Sequence, residues 1–509
     1  MKTTQPDLLL VNPGNRTAIY QSLGNELSAL EPPVWAGLMA TFVRGRGHSV
    51  EILDANAENL SPTATAARVN EIKPRVAAVV VYGHNPSAST QVMPSAGEIC
   101  AAIKQSNPEQ KIILIGGHVS ALPERTLQEE EADFVATGEG LHTLADLVSA
   151  CKESSSPKLA EVRGLGFFQD DHIRFNSPAP LVRDVDTDMP GMAWDLLPME
   201  LYRAHNWHCF DGLDRQPYGA LYTTLGCPFK CSFCCIQAPF KSGEKALGMK
   251  DGLNSYRRWS AENVLKQIDH LVKKHGVRNF KFADEMFVLH PKHVNDICDG
   301  LIARDYDLNI WAYARVDTVK DNMVDKLRRA GFRWLAFGIE AASADVRDDV
   351  SKGYQQDDIF RTLEKVRAGG IYIGANYIFG LPEDNVDSMQ ATLDLALEVN
   401  AEYANFYSAM AYPGSALYSQ ALQQGWNLPD TWAGYSQHAE SSLPLPTRHL
   451  TGGEVLAFRD HAFQVYFNAP GYLAMVERKF GLETVHHIQA MNAHRLSRTH
   501  AALPATIAA

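Results

Sequence analysis

Short aliphatic runs alternate with amphipathic stretches through residues 6–150. A run that is apolar at consecutive positions predicts a strand buried on both faces, while residues 32–46 carry apolar side chains at helical spacing. This alternation predicts a doubly wound, Rossmann-like parallel α/β sheet, whose ligands bind beyond the carboxyl ends of the strands. The predicted strands lie at residues 7–11, 48–54, 75–81, 111–115 and 133–136.

The alternation of strands and helices restarts at Tyr218 and continues to about Pro413, with six strand and helix units in succession. Such a series predicts a partial (β/α)6 barrel of the TIM type, which carries its reactive groups at the carboxyl ends of the strands. The last part of the chain is rich in aromatic residues and indicates a mostly helical extension, either a lid over the barrel or a packing element. The predicted division is therefore a first α/β domain at 1–150, a connector with one hairpin at 151–217, a partial barrel at 218–414 and the extension at 415–509.

Composition narrows the functional classes. The 509 residues include 45% hydrophobic and 21% charged residues, as in ordinary globular proteins. A net charge of −12 offers no basic surface, so no nucleic-acid partner is expected. No stretch approaches the ~20 apolar residues that span a bilayer, and the first apolar run is too short for a signal peptide. Eight cysteines are too few for a disulfide scaffold, so a reducing, cytoplasmic location is expected.

Three cysteines, Cys227, Cys231 and Cys234, share one short predicted loop after the first strand of the barrel. Three thiolates on one loop can hold three corners of a four-iron cluster and leave the fourth iron free for a cofactor or substrate. Zinc is the alternative, but a structural zinc site uses four ligands, often as two spaced pairs, and no second pair is present here. Cys235 is an alternative to Cys234 as a ligand, although Phe233 before Cys234 favours the first spacing and a buried role for Cys235.

This loop resembles that of the radical S-adenosylmethionine (radical SAM) enzymes, in which an aromatic residue precedes the last cysteine. In that family the free iron of a [4Fe-4S] cluster binds SAM, and an electron from the cluster cleaves SAM to a 5′-deoxyadenosyl radical. The resemblance implies an external electron donor such as flavodoxin or ferredoxin. It extends along the barrel, because most strand ends carry polar residues that match the family. The residues that the resemblance assigns to SAM are Phe233, Asp284, Glu285, Arg315, Glu340, Ser343, Asn376 and Gly380.

Several of these assignments have simpler alternatives. Asp284 and Glu285 match the position that binds the SAM ammonium group, but a surface acid pair has the same pattern. Arg315 matches a partner of the SAM carboxylate, and an ordinary salt bridge is equally consistent with its position. The family's Gly-Ile-Glu-Ser-x-Ser run is altered here to Gly-Ile-Glu-Ala-Ala-Ser at 338–343. The resemblance therefore depends on several matches in the right order.

Small and hydroxyl-bearing residues gather at the predicted carboxyl ends of the strands in the first domain. They allow a large ligand to approach the backbone and form hydrogen bonds, although ordinary turns have similar residues. Their order resembles the cobalamin-binding domain that precedes the radical SAM domain in one large subfamily. The residues that this resemblance assigns to cobalamin (vitamin B12) are Asn12, Pro13, Tyr82, His84, Ser87, Ser89, Gly116, Gly117, His118, Gly138 and Glu139.

One departure concerns the cobalt. The Asp-x-His-x-x-Gly motif that supplies a cobalt-ligating histidine in other cobalamin proteins is missing from this sequence. Any bound cobalamin is therefore expected to lack a histidine ligand from that motif. A degenerate domain without the cofactor is the alternative.

The two resemblances together imply a cobalamin-dependent radical SAM enzyme. They favour a methyltransferase that acts on an unactivated centre of a small molecule, with cobalamin carrying a methyl group from one SAM and a second SAM supplying the radical. A cyclisation or rearrangement without methyl transfer is one alternative, and a non-enzymatic cobalamin or redox sensor is another. No side chain is assigned a direct catalytic role, and the sequence does not identify the substrate.

Overall fold

Two sheets organise the computed structural model, which describes residues 5–14, 21, 28–83, 85–154 and 156–502. The strands of the first sheet are β1 (Leu8–Asn12), β2 (Val50–Asp54), β3 (Val76–Val81), β4 (Ile112–Gly116), β5 (Phe134–Ala136), β6 (Leu165–Gln169) and β7 (His172–Phe175). Their order is β2-β1-β3-β4-β5-β6-β7, in which β1 to β5 are parallel and β6 and β7 are antiparallel. The predicted doubly wound sheet is confirmed.

Side-chain alternation explains why this sheet is covered on both faces. Leu8 and Leu10 of β1 enter one apolar core, whereas Leu9 and Val11 enter the other. The helices of this half are α1 (Val34–Arg44), α2 (Pro62–Ile72), α3 (Ala88–Gln91), α4 (Met93–Ser106), α5 (Gly117–Ala121), α6 (Pro123–Glu129), α7 (Leu141–Glu153) and α8 (Val185–Asp188).

The hairpin of the predicted connector belongs to the first sheet. Strand β6 pairs antiparallel with β5, and β7 pairs with β6. The sheet thus extends to Phe175, beyond the predicted boundary at residue 150, because the open edge of β5 offers backbone groups that the hairpin can satisfy.

The second sheet is parallel throughout. Its strands are β8 (Tyr218–Leu221), β11 (Asn279–Phe282), β12 (Asn309–Ala314), β13 (Phe332–Glu340), β14 (Tyr372–Phe379) and β15 (Tyr403–Ser408), in the order β15-β14-β13-β12-β11-β8. Between β8 and β11, the short strands β9 (Thr224–Leu225) and β10 (Arg257–Arg258) pair antiparallel. The six predicted strands of the partial barrel are confirmed.

Helices separate these strands and continue to the end of the described chain. A serine begins one of them as predicted, since the Ser260 hydroxyl accepts a hydrogen bond from the Asn263 N–H at 3.3 Å. The helices are α9 (Lys241–Ala246), α10 (Ala261–His275), α11 (Pro291–Arg304), α12 (Val324–Arg329), α13 (Ala344–Asp349), α14 (Gln356–Ala368), α15 (Val386–Val399), α16 (Ala416–Gln424), α17 (Gly452–Asn468), α18 (Pro470–Phe480) and α19 (Leu482–Ala493).

The two sheets share one apolar core. Residues from one face of the first sheet, from the barrel and from helices α17 to α19 belong to the same cluster of buried side chains. The mostly helical extension is therefore packed against the barrel strands. Among the described helices, none has the length and apolar character needed to cross a membrane.

Candidate active site

The cysteine loop follows β9 and starts at a glycine that its position requires. Gly226 has φ +86°, and a Cβ there would lie 2.3 Å from the Ser255 carbonyl oxygen. Side-chain amides then hold the loop backbone. Gln237 Nε2 donates to the Cys227 carbonyl at 2.7 Å, and Asn254 Nδ2 donates to the same carbonyl at 3.0 Å. The loop is fixed by contacts that do not use its thiols.

All three predicted cluster ligands are free thiols on this loop. Cys227 is buried, whereas Cys231 and Cys234 are partly exposed. Burial raises the pKa of Cys227 to about 11, so a thiolate there needs positive charge close by. Among the described residues, no three His, Cys, Asp or Glu side chains are grouped to hold one metal ion. The ligands of a [4Fe-4S] cluster bind separate irons and need no such grouping, so the loop fits the predicted cluster.

Two buried cations lie near the middle cysteine. Arg315 and Lys352 both interact electrostatically with the Cys231 thiol. Arg315 is stacked 4.0 Å from the centre of the Phe229 ring. Its guanidinium also binds the Asp317 carboxylate through two hydrogen bonds of 3.0 and 3.1 Å, which is the salt bridge considered as the alternative. Arg315 is therefore beside the loop but already paired.

Sequence reasoning missed Lys352. Its ammonium group bonds the Glu340 carboxylate at 2.5 Å, and it lies 6.0 Å from the centre of the Phe233 ring. Burial alone would lower the pKa of Lys352, but Glu340 keeps it above its usual value. Lys352 sits in a short polar turn after α13, where no periodicity distinguishes it from a surface lysine. Its role is evident only from the folded structure, in which Lys352 contacts Glu340.

The two acids after β11 have different surroundings. The Asp284 carboxylate is fully buried and accepts hydrogen bonds from the Thr223 N–H and, at 2.7 Å, from the Thr223 hydroxyl. Glu285 instead lines a cleft, and burial raises its pKa to about 8. Asp284 thus fixes the strand before the cysteine loop, while Glu285 faces space that a ligand can enter. Contact of either with SAM stays a prediction.

The other residues assigned to SAM have roles within the barrel. Ser343 is the N-cap of α13. The Asn376 amide nitrogen donates to the Phe337 carbonyl, and its oxygen accepts a hydrogen bond from Asn405 at 2.9 Å. Gly380 has φ +81°, and a Cβ there would meet Val455 of α17 at 2.3 Å. These residues shape the ends of β13 and β14.

A large cleft opens at the carboxyl edge of the first sheet. It is lined by Asn12, Pro13 and Tyr82 of the predicted cobalamin residues. Small residues such as Gly14 and Gly83 also line it. Asn12 is held by a 2.7 Å hydrogen bond from its Nδ2 to the buried Asp54. Its mostly small and uncharged lining would allow a bulky macrocycle to approach the backbone.

A second cleft lies between the two sheets. From the first sheet it is lined by Tyr82, Ser89 and Gly117, and from the cysteine loop by residues that include Gly226 and Cys235. Trp35 lines both clefts and stacks on Tyr82 at 4.1 Å. The carboxyl edge of the first sheet and the cysteine loop therefore open into one shared space.

The remaining predicted cobalamin residues that the structure describes line neither of these clefts. His118 is buried beneath Trp432, and burial lowers its pKa to about 3. The Glu139 carboxylate forms an ion pair with Arg257, in which Oε1 lies 2.6 Å from Nη2. Ser87, Gly116 and Gly138 are also outside both linings, and His84 lies outside the described residues. Their contact with cobalamin stays a prediction.

Comparison with known proteins agrees with this two-part site. A family model for the radical SAM superfamily matches residues 221–396, and a model for the B12 binding domain matches residues 21–148. Over 467 residues the chain is 28% identical to the uncharacterized methyltransferase PH0819 of Pyrococcus horikoshii, with 92% of this chain and 93% of the relative covered.

The similarity to two further proteins covers most of this chain. The anaerobic magnesium-protoporphyrin IX monomethyl ester cyclase of Cereibacter sphaeroides is 25% identical over 448 residues, covering 86% of this chain and 67% of the cyclase. The radical SAM methyltransferase TsrM of Kitasatospora setae, solved with cobalamin and a [4Fe-4S] cluster, superposes with a TM-score of 0.66. The coverage is 92% of this chain and 90% of TsrM at 17% identity, which supports the fold.

Proposed function

Since the chain is a radical SAM enzyme with an N-terminal B12-binding domain, we propose that it is a methyltransferase that methylates an unactivated centre of a small molecule. The observation that carries this proposal is the shared cleft, because residues of both domains line it. A methyl group carried by cobalamin and a radical made at the cluster must reach the same substrate atom, and a shared cleft meets that need.

The cofactors supply the hard chemistry: the [4Fe-4S] cluster and SAM provide the radical, and cobalamin carries the methyl group. The chain binds and orients them. Cys227, Cys231 and Cys234 would hold the cluster, and Lys352 and Arg315 offset negative charge at Cys231. Tyr82 and Trp35 form the aromatic wall between the large cleft and the shared cleft.

The substrate is expected to be a small molecule. Small-molecule sites in proteins are typically clefts lined by apolar and aromatic side chains with a few polar groups. The aromatic side chains of Trp35, Tyr222 and Phe240 line the shared cleft, together with the carboxylate of Glu285. An external donor such as flavodoxin or ferredoxin would supply electrons, consistent with a reducing cytoplasm.

A radical cyclase is the second candidate. It is favoured by the 25% identity to the porphyrin ester cyclase over most of this chain. Both candidates require the cluster and SAM, so they differ in the fate of the SAM methyl group and not in the cysteine loop.

The fate of that methyl group can be tested without knowing the substrate. Protein reconstituted anaerobically with iron, sulfide and hydroxocobalamin is reduced and given SAM with a deuterated methyl group. The proposal predicts that the deuterated methyl group appears on the corrin, measured by mass spectrometry. Formation of 5′-deoxyadenosine with an unlabelled corrin would support the cyclase. If neither 5′-deoxyadenosine nor labelled corrin forms, the result would indicate a sensor.

A further inference from the structure

One ion pair joins the first sheet to the strand beside the cysteine loop. Arg257 Nη2 lies 2.6 Å from Glu139 Oε1, and the two side chains are 11% and 3% exposed. Glu139 follows β5 of the first sheet, and Arg257 belongs to β10. A buried pair of this kind is costly to form unless its remaining polar atoms also find partners.

Most of the remaining polar atoms of this pair have partners, and Arg257 Nε is the one that has no hydrogen bond within the described chain. Arg257 Nη1 donates to the Val182 carbonyl at 2.7 Å, and the Val182 N–H donates to Glu139 Oε2 at 3.0 Å. The Arg257 guanidinium also lies 5.2 Å from the centre of the Phe240 ring, at the end of the cysteine loop. Three segments of the chain therefore meet at one arginine.

Each residue of the pair contacts a segment that borders one of the two proposed cofactor sites. On one side, the Tyr82 hydroxyl, on the wall of both clefts, donates to the Glu139 carbonyl at 2.9 Å. On the other side, Arg257 pairs with Leu225, two residues before Cys227. A second contact reinforces the junction, because the Ser242 hydroxyl donates to the Thr137 carbonyl at 2.8 Å.

We propose that Arg257 is a positioning residue that couples the cobalamin cleft to the cysteine loop. Cobalamin packed against Tyr82 would favour the position of the Glu139 turn that binds Arg257, and Arg257 would in turn fix β9 and the start of the loop. Coupling of this kind is reciprocal, so an assembled cluster must strengthen cobalamin binding by the same factor. The inference depends on the two cofactors and not on methyl transfer.

The coupling is measured as a ratio of two dissociation constants. Hydroxocobalamin binding is titrated by absorbance with the full-length protein, once with the reconstituted cluster and once after iron chelation. The wild-type protein is expected to bind hydroxocobalamin about tenfold more tightly when the cluster is present, a typical size for such coupling. In Arg257→Gln the two constants should become equal.

The matched control is Arg258→Gln. Arg258 is on the same strand and carries the same charge, but its side chain is exposed. This variant should keep the wild-type ratio. If Arg257→Gln does not fold, Glu139→Gln removes the charge on the other partner. In that variant too, the two dissociation constants should become equal.

A wild-type ratio near one, or a wild-type ratio retained by a folded Arg257→Gln or Glu139→Gln protein, would overturn the proposal. A second measurement addresses the loop itself. Adding hydroxocobalamin should slow amide hydrogen exchange at residues 226–240 in the wild type and in Arg258→Gln, but not in Arg257→Gln. Neither measurement depends on methyl transfer, so the labelled-methyl experiment can fail while this inference stands.

Discussion

The carboxyl edges of the two sheets provide different chemistry. The edge of the first sheet presents small and neutral groups to its clefts, such as Asn12, Ser89 and Gly117. The edge of the second sheet carries ionisable side chains, including Glu285 and the buried Lys352–Glu340 pair. A corrin is a large ring that must be accommodated by shape, whereas a cluster and SAM bring charges that the protein must balance.

The first sheet does have charged residues near its edge, but they are paired across the junction. Glu139 binds Arg257, and Glu31 binds Lys281 of β11 at 2.9 Å. Charged residues near the carboxyl edge of the first sheet thus join the two domains. Those at the carboxyl edge of the second sheet lie around the cysteine loop. Four substitutions test this contrast, beginning with the largest expected effect.

Cys231→Ala should remove the cluster and with it all reductive cleavage of SAM. Because the carboxyl edge of the first sheet does not use this thiol, hydroxocobalamin should still bind with an affinity within about threefold of the cluster-free wild-type protein, a difference of less than 1 kcal/mol. Iron content, cluster absorbance and 5′-deoxyadenosine are the measurements. Cys298→Ala, in the buried face of α11, is the control that should keep the cluster. Reductive SAM cleavage by Cys231→Ala would show that another set of ligands holds the iron.

Lys352→Met should leave the Glu340 carboxylate buried without its cation. Breaking a buried pair in this way typically costs about 3–5 kcal/mol, which urea unfolding of the cluster-free protein would detect. Lys365→Met is the control, because its partner Asp321 is 93% exposed and such pairs contribute at most about 1 kcal/mol. Equal loss of stability in the two variants would remove the distinction between a buried and a surface pair.

His118→Gln tests whether burial keeps the first edge neutral. The folded-state pKa of His118, about 3, lies below its usual value of 6.5. Stability from this group is therefore present above pH 6.5 and is lost as the pH falls toward 3. Between pH 7 and 5 the wild type should lose about 2 kcal/mol more than His118→Gln, measured by urea unfolding. Parallel loss of stability in both proteins would mean that His118 titrates normally when folded.

Gly117→Val should weaken cobalamin binding about tenfold, or about 1.4 kcal/mol, because its methyl groups enter the shared cleft. Gly117→Ala is the matched control. Its Cβ would lie 3.5 Å from the Ser89 hydroxyl, an ordinary contact, so binding should be nearly unchanged. Equilibrium dialysis with hydroxocobalamin gives both values. If Gly117→Val binds hydroxocobalamin with wild-type affinity, Gly117 is not part of the cobalamin site.

Regular periodicity made most of the fold predictable. Consecutive apolar residues such as those of β3 indicated a sheet buried on both faces, and the six barrel strands followed from alternation alone. The hairpin that extends the first sheet was predicted as a hairpin, but its partner was not, because edge pairing with β5 leaves no local pattern.

The site was less predictable than the fold. Cys227, Cys231 and Cys234 could be selected because their spacing lies within one loop. The pairing of Lys352 with Glu340 and of Glu139 with Arg257 joins residues that are 12 and 118 positions apart. The sequence contains the residues of such pairs but no sign of which partner each will meet.

The central claim is that three thiolates hold a four-iron cluster whose fourth iron remains free for SAM. Electron paramagnetic resonance of the reconstituted and reduced protein, recorded before and after SAM is added, tests it most directly. The account predicts a [4Fe-4S] signal that shifts when SAM is added in the wild type and that is missing in Cys231→Ala. A cluster signal that SAM leaves unchanged, or a protein that takes up a single zinc and no iron, would contradict it.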